Sequence, residues 1–290
     1  MTFTKGFIRA CVPRNIRNWL RSPTKSARWA WDEIRYAVGA NEFVQMRPGW
    51  SLLCHPAAYR FAYYAQDTDP EQVAEFDGFI SACRPGMAFF DLGAHFGLFS
   101  LAALHYGGDT AKAIAVDPSP MAWRLLRIQA QLNHVADRLG VVQASVGDQI
   151  GWQDMVPTGV HGAGYFLSRR DHPRGELTRT QAITLDKLAA DFELLPTHLK
   201  IDVEGNEAEV LRGGRQVLSQ NDAPLLFIEL HNQMIRDRGG DPAETLALLK
   251  SLGYRTFAVD GTPLDEAVIL NSSLIRIISN KTSFTSRRSH

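Results

Sequence analysis

Two pairs of titratable residues, Asp202-Val-Glu204 and Glu229-Leu-His231, each close an apolar run of strand type. In an extended strand, residues two apart point the same way, so each pair presents its groups together. If the two strands are neighbours, carboxylates and an imidazole converge on one cleft. An alcohol is a poor nucleophile until a base takes its proton as attack proceeds, and such a cluster supplies the base. His231 titrates nearest neutrality and is the first-choice base. Asp202 orients the acceptor or serves as the alternative base, and Glu204 completes the catalytic set. The same oxygens could hold a divalent cation, although none is predicted. The plainer reading is a network that ties helix ends to strands.

A second set of residues could hold a cofactor. Asp91-Leu-Gly93-Ala-His95-Phe-Gly97 follows the apolar run Met87–Phe90 and precedes Leu98, Leu101 and Leu104, a helical spacing. Gly93 permits a sharp turn, and Gly97 lets the helix N-terminus approach the strand and a ligand. Dinucleotide sites use Gly-x-Gly-x-x-Gly, whose middle glycine admits a pyrophosphate. Here His95 stands two residues after Gly93, which suits a ligand with an amino-acid head and no phosphates. S-adenosylmethionine is such a ligand. Asp91 would receive its ammonium, and Asp117, twenty residues after Gly97, both ribose hydroxyls. Ser145 and Asp148, in the turn after a third strand, would meet the adenine edge. Against this stand a bland tight turn of another α/β domain and an Asp117 that caps the next helix.

The elements that must position these groups alternate. Strands are predicted at Ala113–Val116, Gly140–Ala144, Thr197–Val203, Pro224–His231, Tyr254–Val259 and Leu274–Ser279, besides the one ending at Asp91. Helices are predicted after Asp69-Pro70, after Ser119-Pro120, from Thr184, over Glu207–Leu218 (weakened by Gly213-Gly214) and after the capping box Asp241-Pro-Ala-Glu244. Such alternation predicts an α/β fold with a doubly wound, mostly parallel sheet. The last strand follows without an intervening helix, so it is expected to pair antiparallel. Residues 150–182 lack helical periodicity and read as a hairpin or substrate-facing insertion.

Composition narrows the class. The chain has 290 residues, 45% of them hydrophobic and 21% charged, with formal charge zero. That charge is uneven: residues 1–35 hold eight Lys/Arg against Asp32 and Glu33, while the body is acidic, which argues against a nucleic-acid groove. Cys11, Cys54 and Cys83 form neither a disulfide framework nor a zinc motif. A cytoplasmic protein is expected, with peripheral membrane contact through the basic, tryptophan-bearing residues 1–35 as an option. The expected divisions are a basic aromatic N-terminal extension (1–40), whose plainer reading is a helical cap packing its aromatics on the domain with Pro13 and Pro23 breaking any long helix, a helical lead-in (41–86), the main domain (87–280) and a disordered tail (281–290). Oligomeric state is not legible.

Together the segments Phe90-Asp-Leu-Gly-Ala-His-Phe-Gly97, Thr184-Leu-Asp-Lys-Leu188, Leu199-Lys-Ile-Asp-Val-Glu-Gly-Asn-Glu207, Val210-Leu-Arg-Gly213, Ile228-Glu-Leu-His231 and Leu-Gly-Tyr254 resemble the FkbM family of methyltransferases in order and spacing. The resemblance covers roughly residues 85–260. It implies the Rossmann-like class I methyltransferase fold with seven strands, S-adenosylmethionine as cofactor, and O-methylation of a sugar hydroxyl in a glycan, glycolipid or natural product. It implies that Asp91, Gly93 and Gly97 face the cofactor, Asp117 the ribose, and Asp202, Glu204 and His231 the reacting side. Two positions depart from the family's habit, which has Asn at His95 and Glu at Asp117. The alternatives are methylation of RNA or protein, and a non-catalytic binding module of the same fold. Against the first, the fourth strand ends Asp-Val-Glu-Gly rather than in an Asn/Asp-Pro-Pro-Tyr loop.

Overall fold

A computed structural model describes residues 23–59, 69–155 and 178–281. Most of the N-terminal extension, the centre of the insertion and the C-terminal tail lie outside the described residues. The chain divides into two units, residues 1–63 and 64–290. Among the described residues no helix is long and apolar enough to cross a membrane.

The first unit contains helix α1 (Pro23–Ala37) and an antiparallel hairpin of β1 (Glu42–Arg47) and β2 (Trp50–Cys54). Val44, Met46, Trp50, Leu52 and Cys54 alternate inward. His55 is buried between the rings of Trp29 and Tyr36, at 5.8 and 4.7 Å. The sequence reading assigns no hairpin here, because Phe43 beside Val44 breaks the period-two pattern; the structure leaves Phe43 outside.

The second unit begins with α2 (Pro70–Ala82), where Asp69 caps the Glu71 amide and Pro70 takes the first turn, as its sequence signals. Then follow β3 (Ala88–Leu92), α3 (Leu98–Tyr106), β4 (Lys112–Val116), α4 (Pro120–Leu132), β5 (Leu139–Val142), β6 (Ser145–Gly147), β7 (Gly151–Met155), β8 (Thr178–Thr184), α5 (Leu185–Asp191), β9 (His198–Ile201), α6 (Glu207–Gly213), α7 (Arg215–Leu218), β10 (Leu225–Leu230), α8 (Asn232–Asp237), α9 (Ala243–Ser251), β11 (Arg255–Ala258), α10 (Glu266–Asn271) and β12 (Ile275–Asn280).

The main sheet has seven strands in the order β11-β12-β10-β9-β3-β4-β5. The pairs β10–β9, β9–β3, β3–β4 and β4–β5 are parallel, and β12 runs antiparallel between β10 and β11. This is the Rossmann-like class I methyltransferase arrangement. A smaller sheet, β6-β8-β7, carries the two ends of the insertion.

Period two sorts the side chains of the sheet onto two faces. Phe90 and Leu92 join Ile114, Leu199, Ile201 and Ile228 in one apolar core. On the other face Phe79 packs on Phe89, Phe99 and Phe227 at 4.8, 5.1 and 5.3 Å. Asp91, Lys200 and Glu229 share that second face, each two residues along from, or paired in register with, its aromatic floor. The alternation that builds the core therefore also aims the polar groups.

Three expectations need correcting. The final strand is antiparallel, but α10 does intervene before it; six residues capped by Asp265 give too short a periodic signal to read. The capping box at Asp241 is half-formed: its side chain caps the Ala243 amide at 2.9 Å, while Glu244 turns to Arg212 instead. The Gly213-Gly214 pair splits the expected helix into α6 and α7, for a packing reason. A Cβ on Gly213 would stand 2.0 Å from the Gly147 carbonyl oxygen, so this helix can approach the β6 turn only without a side chain.

Candidate active site

The carboxyl ends of β3, β4, β9 and β10 meet along one edge of the sheet, where open α/β sheets take their ligands. The turn after β3 is pinned by Gly93 and Ala94 amides donating to the Val116 carbonyl at 2.9 and 3.1 Å. Gly93 has φ +87°, and a Cβ there would lie 1.8 Å from the Asp202 carbonyl oxygen. The turn after β3 and the end of β9 are thus in backbone contact. Gly93→Ala is expected to weaken binding of S-adenosylhomocysteine at least tenfold, because the left-handed backbone costs about 1–2 kcal/mol and the overlap adds to it. Calorimetry on the folded variant checks this.

Asp91 is buried, and its Oδ2 accepts from the Ser100 amide and hydroxyl at 3.1 and 2.6 Å. Its Oδ1 takes no hydrogen bond among the described residues. Burial pushes this carboxyl up to about 6, against the pull of Ser100 and Lys200. A buried carboxylate with one oxygen free fits an ammonium ligand. Asp117 is buried too, with Oδ2 accepting from the His95 amide at 2.9 Å and Oδ1 from the Ser119 amide at 2.8 Å. Each oxygen keeps a lone pair for a hydroxyl donor. Burial lifts Asp117 to about 7. It does not cap α4; Ser119 does, accepting from the Ala122 amide.

His95 has φ +52°, in the left-handed region that Asn, Asp and His enter more readily than other residues with side chains. That accounts for His or Asn at this place: the position needs an amide aimed at Asp117 from a left-handed backbone. Gly97, at φ +88°, is the N-cap of α3, and a Cβ there would press on Leu126.

The adenine pair is placed differently. Ser145 is buried in β6, donating to the Gln181 carbonyl at 3.2 Å and accepting from Gln153. Asp148 is paired with Arg212 at 3.1 Å, and Arg212 also holds Glu209 and Glu244. Both side chains make protein contacts: Ser145 within the small sheet, and Asp148 through Arg212 to α6 and α9.

The structure does bring Asp202, Glu204, Glu229 and His231 together. His231 Nε2 lies 3.4 Å from Glu204 Oε2, 3.8 Å from Asp202 Oδ1 and 3.9 Å from Glu229 Oε1. The route differs from the extended-strand argument: β9 ends at Ile201, and Glu204 swings in through a left-handed turn at φ +57°. Glu204 Oε2 is buried without a hydrogen-bond partner among the described residues.

Four further residues complete the cluster. Glu207, fully buried at the start of α6, accepts from the Gly205 amide at 2.9 Å and meets His231 Nδ1 at 3.0 Å through the same oxygen. It thereby turns Nε2 toward the other carboxylates. Lys200 is 2% exposed, with Nζ 2.7 Å from Glu75, 3.6 Å from Glu229 and 3.9 Å from Asp202. Arg276, from β12, reaches Asp69 at 3.0 Å, Glu229 at 3.1 Å and Glu75 at 3.5 Å. A lone lysine inside an apolar strand was the signal for Lys200, since buried lysines are almost always paired. Glu75 and Arg276 come from distant elements, and nothing local marks them.

Charge distribution changes the expected roles. Burial works against a charged imidazole, but the Glu207 contact and the nearby Asp202 and Glu204 outweigh it and lift His231 to about 9. His231 is therefore an imidazolium at neutral pH, which corrects the premise that it titrates nearest neutrality. Asp202 moves the opposite way in function: burial and Glu229 hold it well above the ordinary aspartate range. Its side chain is 30% exposed against 7% for His231, so Asp202 is the group an acceptor can reach.

The FkbM methyltransferase domain matches residues 91–256 of this chain. A 31-O-demethyl-FK506 methyltransferase from Streptomyces tacrolimicus is 29% identical over 205 residues, covering 60% of this chain and 75% of that one. Among solved structures, a precorrin-6y C5,15-methyltransferase from Geobacter metallireducens is 12% identical, with 74% of this chain and 90% of that chain covered at a TM-score of 0.41. An O-methyltransferase from Bacillus cereus is 10% identical, with 77% and 86% covered, also at 0.41. The domain match spans more than half of the chain and includes Asp91, Gly93, Gly97 and Asp117 as well as Asp202, Glu204, Glu229 and His231. The chain belongs to the FkbM methyltransferase domain family, and with it to the S-adenosylmethionine-dependent methyltransferases.

Proposed function

We propose that the protein transfers a methyl group to a hydroxyl of a sugar or glycosylated small molecule, with Asp202 as the base that takes the hydroxyl proton. The observation that carries the reading is the backbone contact between Gly93 and Asp202, which sets a cofactor turn directly beside a proton-accepting cluster. S-adenosylmethionine supplies an electrophilic methyl on a sulfonium, an ammonium group and a ribose diol. Asp91 Oδ1 would receive the ammonium, Asp117 the diol, and the turn of Gly93 to Gly97 would lie along the ligand between them. The Streptomyces relative is named for a 31-O-demethyl substrate, which supports oxygen as the acceptor atom here.

Asp202 holds its carboxylate where an acceptor hydroxyl can donate to it. A raised pKa makes it a stronger base than a solvated aspartate, as general base catalysis near neutrality needs. The His231 imidazolium stays beside it and, fixed by Glu207, favours the ionised carboxylate against burial and Glu229. The hydroxyl proton passes to Asp202, and His231 beside it keeps its own proton. Glu204 and Glu229 offer acceptors for further hydroxyls, which suits a polyol better than a simple alcohol. Asp202, Glu229 and His231 also offer three atoms within 4.8 Å of one another that could bind a cation. Lys200 and Arg276 already supply Glu229 with countercharge, so no metal ion enters the proposal.

The test is incubation of the full chain with isotopically labelled cofactor and a panel of glycosides and glycosylated macrolides, read by mass spectrometry. Label on a sugar oxygen supports the reading; label only on RNA or protein overturns it. Cofactor affinity should also depend on pH. Asp91 must be ionised to take an ammonium, and its free-state value is about 6. Affinity for S-adenosylhomocysteine is thus expected to fall at least tenfold between pH 7 and pH 5, since each unit below the pKa removes nearly tenfold of the ionised form and Asp117, at about 7, loses charge over the same range. Asp91→Asn should weaken binding and leave only the part of that dependence that Asp117 carries.

A further inference from the structure

We propose that the outer face of α1, with Phe43, rests on an anionic lipid surface. Ala27, Trp31 and Ile34 of α1, with Val38 one residue past its end and still bonded back to the Ile34 carbonyl, recur every three or four residues as a single stripe. Trp31, Ile34 and Val38 are 61%, 54% and 76% exposed, and Phe43 is 69% exposed. The stripe is not overflow from a crowded interior, because the neighbouring Trp29 does face inward, onto His55. The acids of the helix are turned away from the stripe. Asp32 is buried, and Glu33 points to His55 at 3.6 Å. Arg28 is exposed beside the stripe, and the 22 residues that precede α1 carry Lys5, Arg9, Arg14, Arg17 and Arg21 with no acid.

A helix with tryptophan and aliphatic residues on one side and cations around it lies in the headgroup region of a bilayer with its apolar face inserted. Charge selects that occupant over a second copy of the chain. Two copies joined at this face would place their basic segments together, whereas anionic headgroups complement them. The inference stands on α1 and its surroundings and does not depend on the methyl-transfer reading.

The test is co-sedimentation of the full chain with phosphatidylcholine vesicles, with and without phosphatidylglycerol. Binding is expected only to the anionic vesicles and should be lost at high salt. The triple variant Trp31→Ser, Ile34→Ser, Val38→Ser should bind them at least tenfold more weakly while its thermal melting is unchanged. Trp152→Ser, which removes an exposed tryptophan from β7, should bind as the parent does. The proposal is overturned if anionic vesicles bind nothing or if the triple variant binds equally well. It is also overturned if size-exclusion chromatography shows a dimer that this variant dissociates.

Discussion

Lys200→Met is expected to destabilise the protein by about 3–5 kcal/mol, the usual cost of breaking a buried ion pair from one side. Its ammonium sits among three carboxylates, with Glu75 at 2.7 Å and both side chains 2% exposed. Burial disfavours that ammonium, yet the attraction of Glu75, Asp202 and Glu229 holds it above the ordinary lysine range. Removing it leaves Glu75, among the described residues, with Arg276 at 3.5 Å as its remaining cationic neighbour, and leaves Glu229 with Arg276 at 3.1 Å and the more distant His231 at 3.9 Å. Thermal denaturation should show Tm lowered on the order of 10 °C. The double variant Lys200→Met, Glu75→Met removes both charges and should recover most of the loss, because apolar replacements of a whole buried pair are often neutral. A single variant as stable as the parent would mean that the pair contributes nothing to folding.

Asp202→Asn is expected to lower kcat by about 10²–10⁴-fold, the range for removal of a general base. The change is nearly isosteric, and the Asp202 amide keeps its bond to the Leu92 carbonyl. Binding of S-adenosylhomocysteine should therefore change by no more than a few-fold. His231→Gln should cost less, since the account gives it an electrostatic role rather than the proton. Steady-state kinetics on an acceptor from the labelled panel decides the order. If the histidine variant were the slower one, His231 would be the base after all.

How much of this was legible from sequence depends on the range of the interaction. The strand and helix order follows from apolar runs and caps, which are local: Asp69-Pro70 and Ser119-Pro120 both start helices as read. The hairpin at 42–54 was hidden because its outward residue Phe43 is apolar. The pairing of β9 with β10 was implied by alternation, and it does bring Asp202 to His231. What sequence does not carry is the field at each group. His231 reads as a near-neutral imidazole until Glu207, two elements away, is seen against Nδ1. Asp148 reads as a free strand-end acid until Arg212 takes it. Lys200 stood inside the recognised motif, but its partners Glu75 and Arg276 arrive from α2 and β12.

The account rests on a cofactor lying between the Asp91 end of β3 and the Asp202 cluster. A crystal structure with S-adenosylhomocysteine tests that most directly. The predicted result is its amino group on Asp91 Oδ1, its ribose hydroxyls on Asp117, and its sulfur facing Asp202 and His231. An amino group bound instead by Asp202 and Glu204, or a ligand seated away from the Gly93 turn, would contradict it.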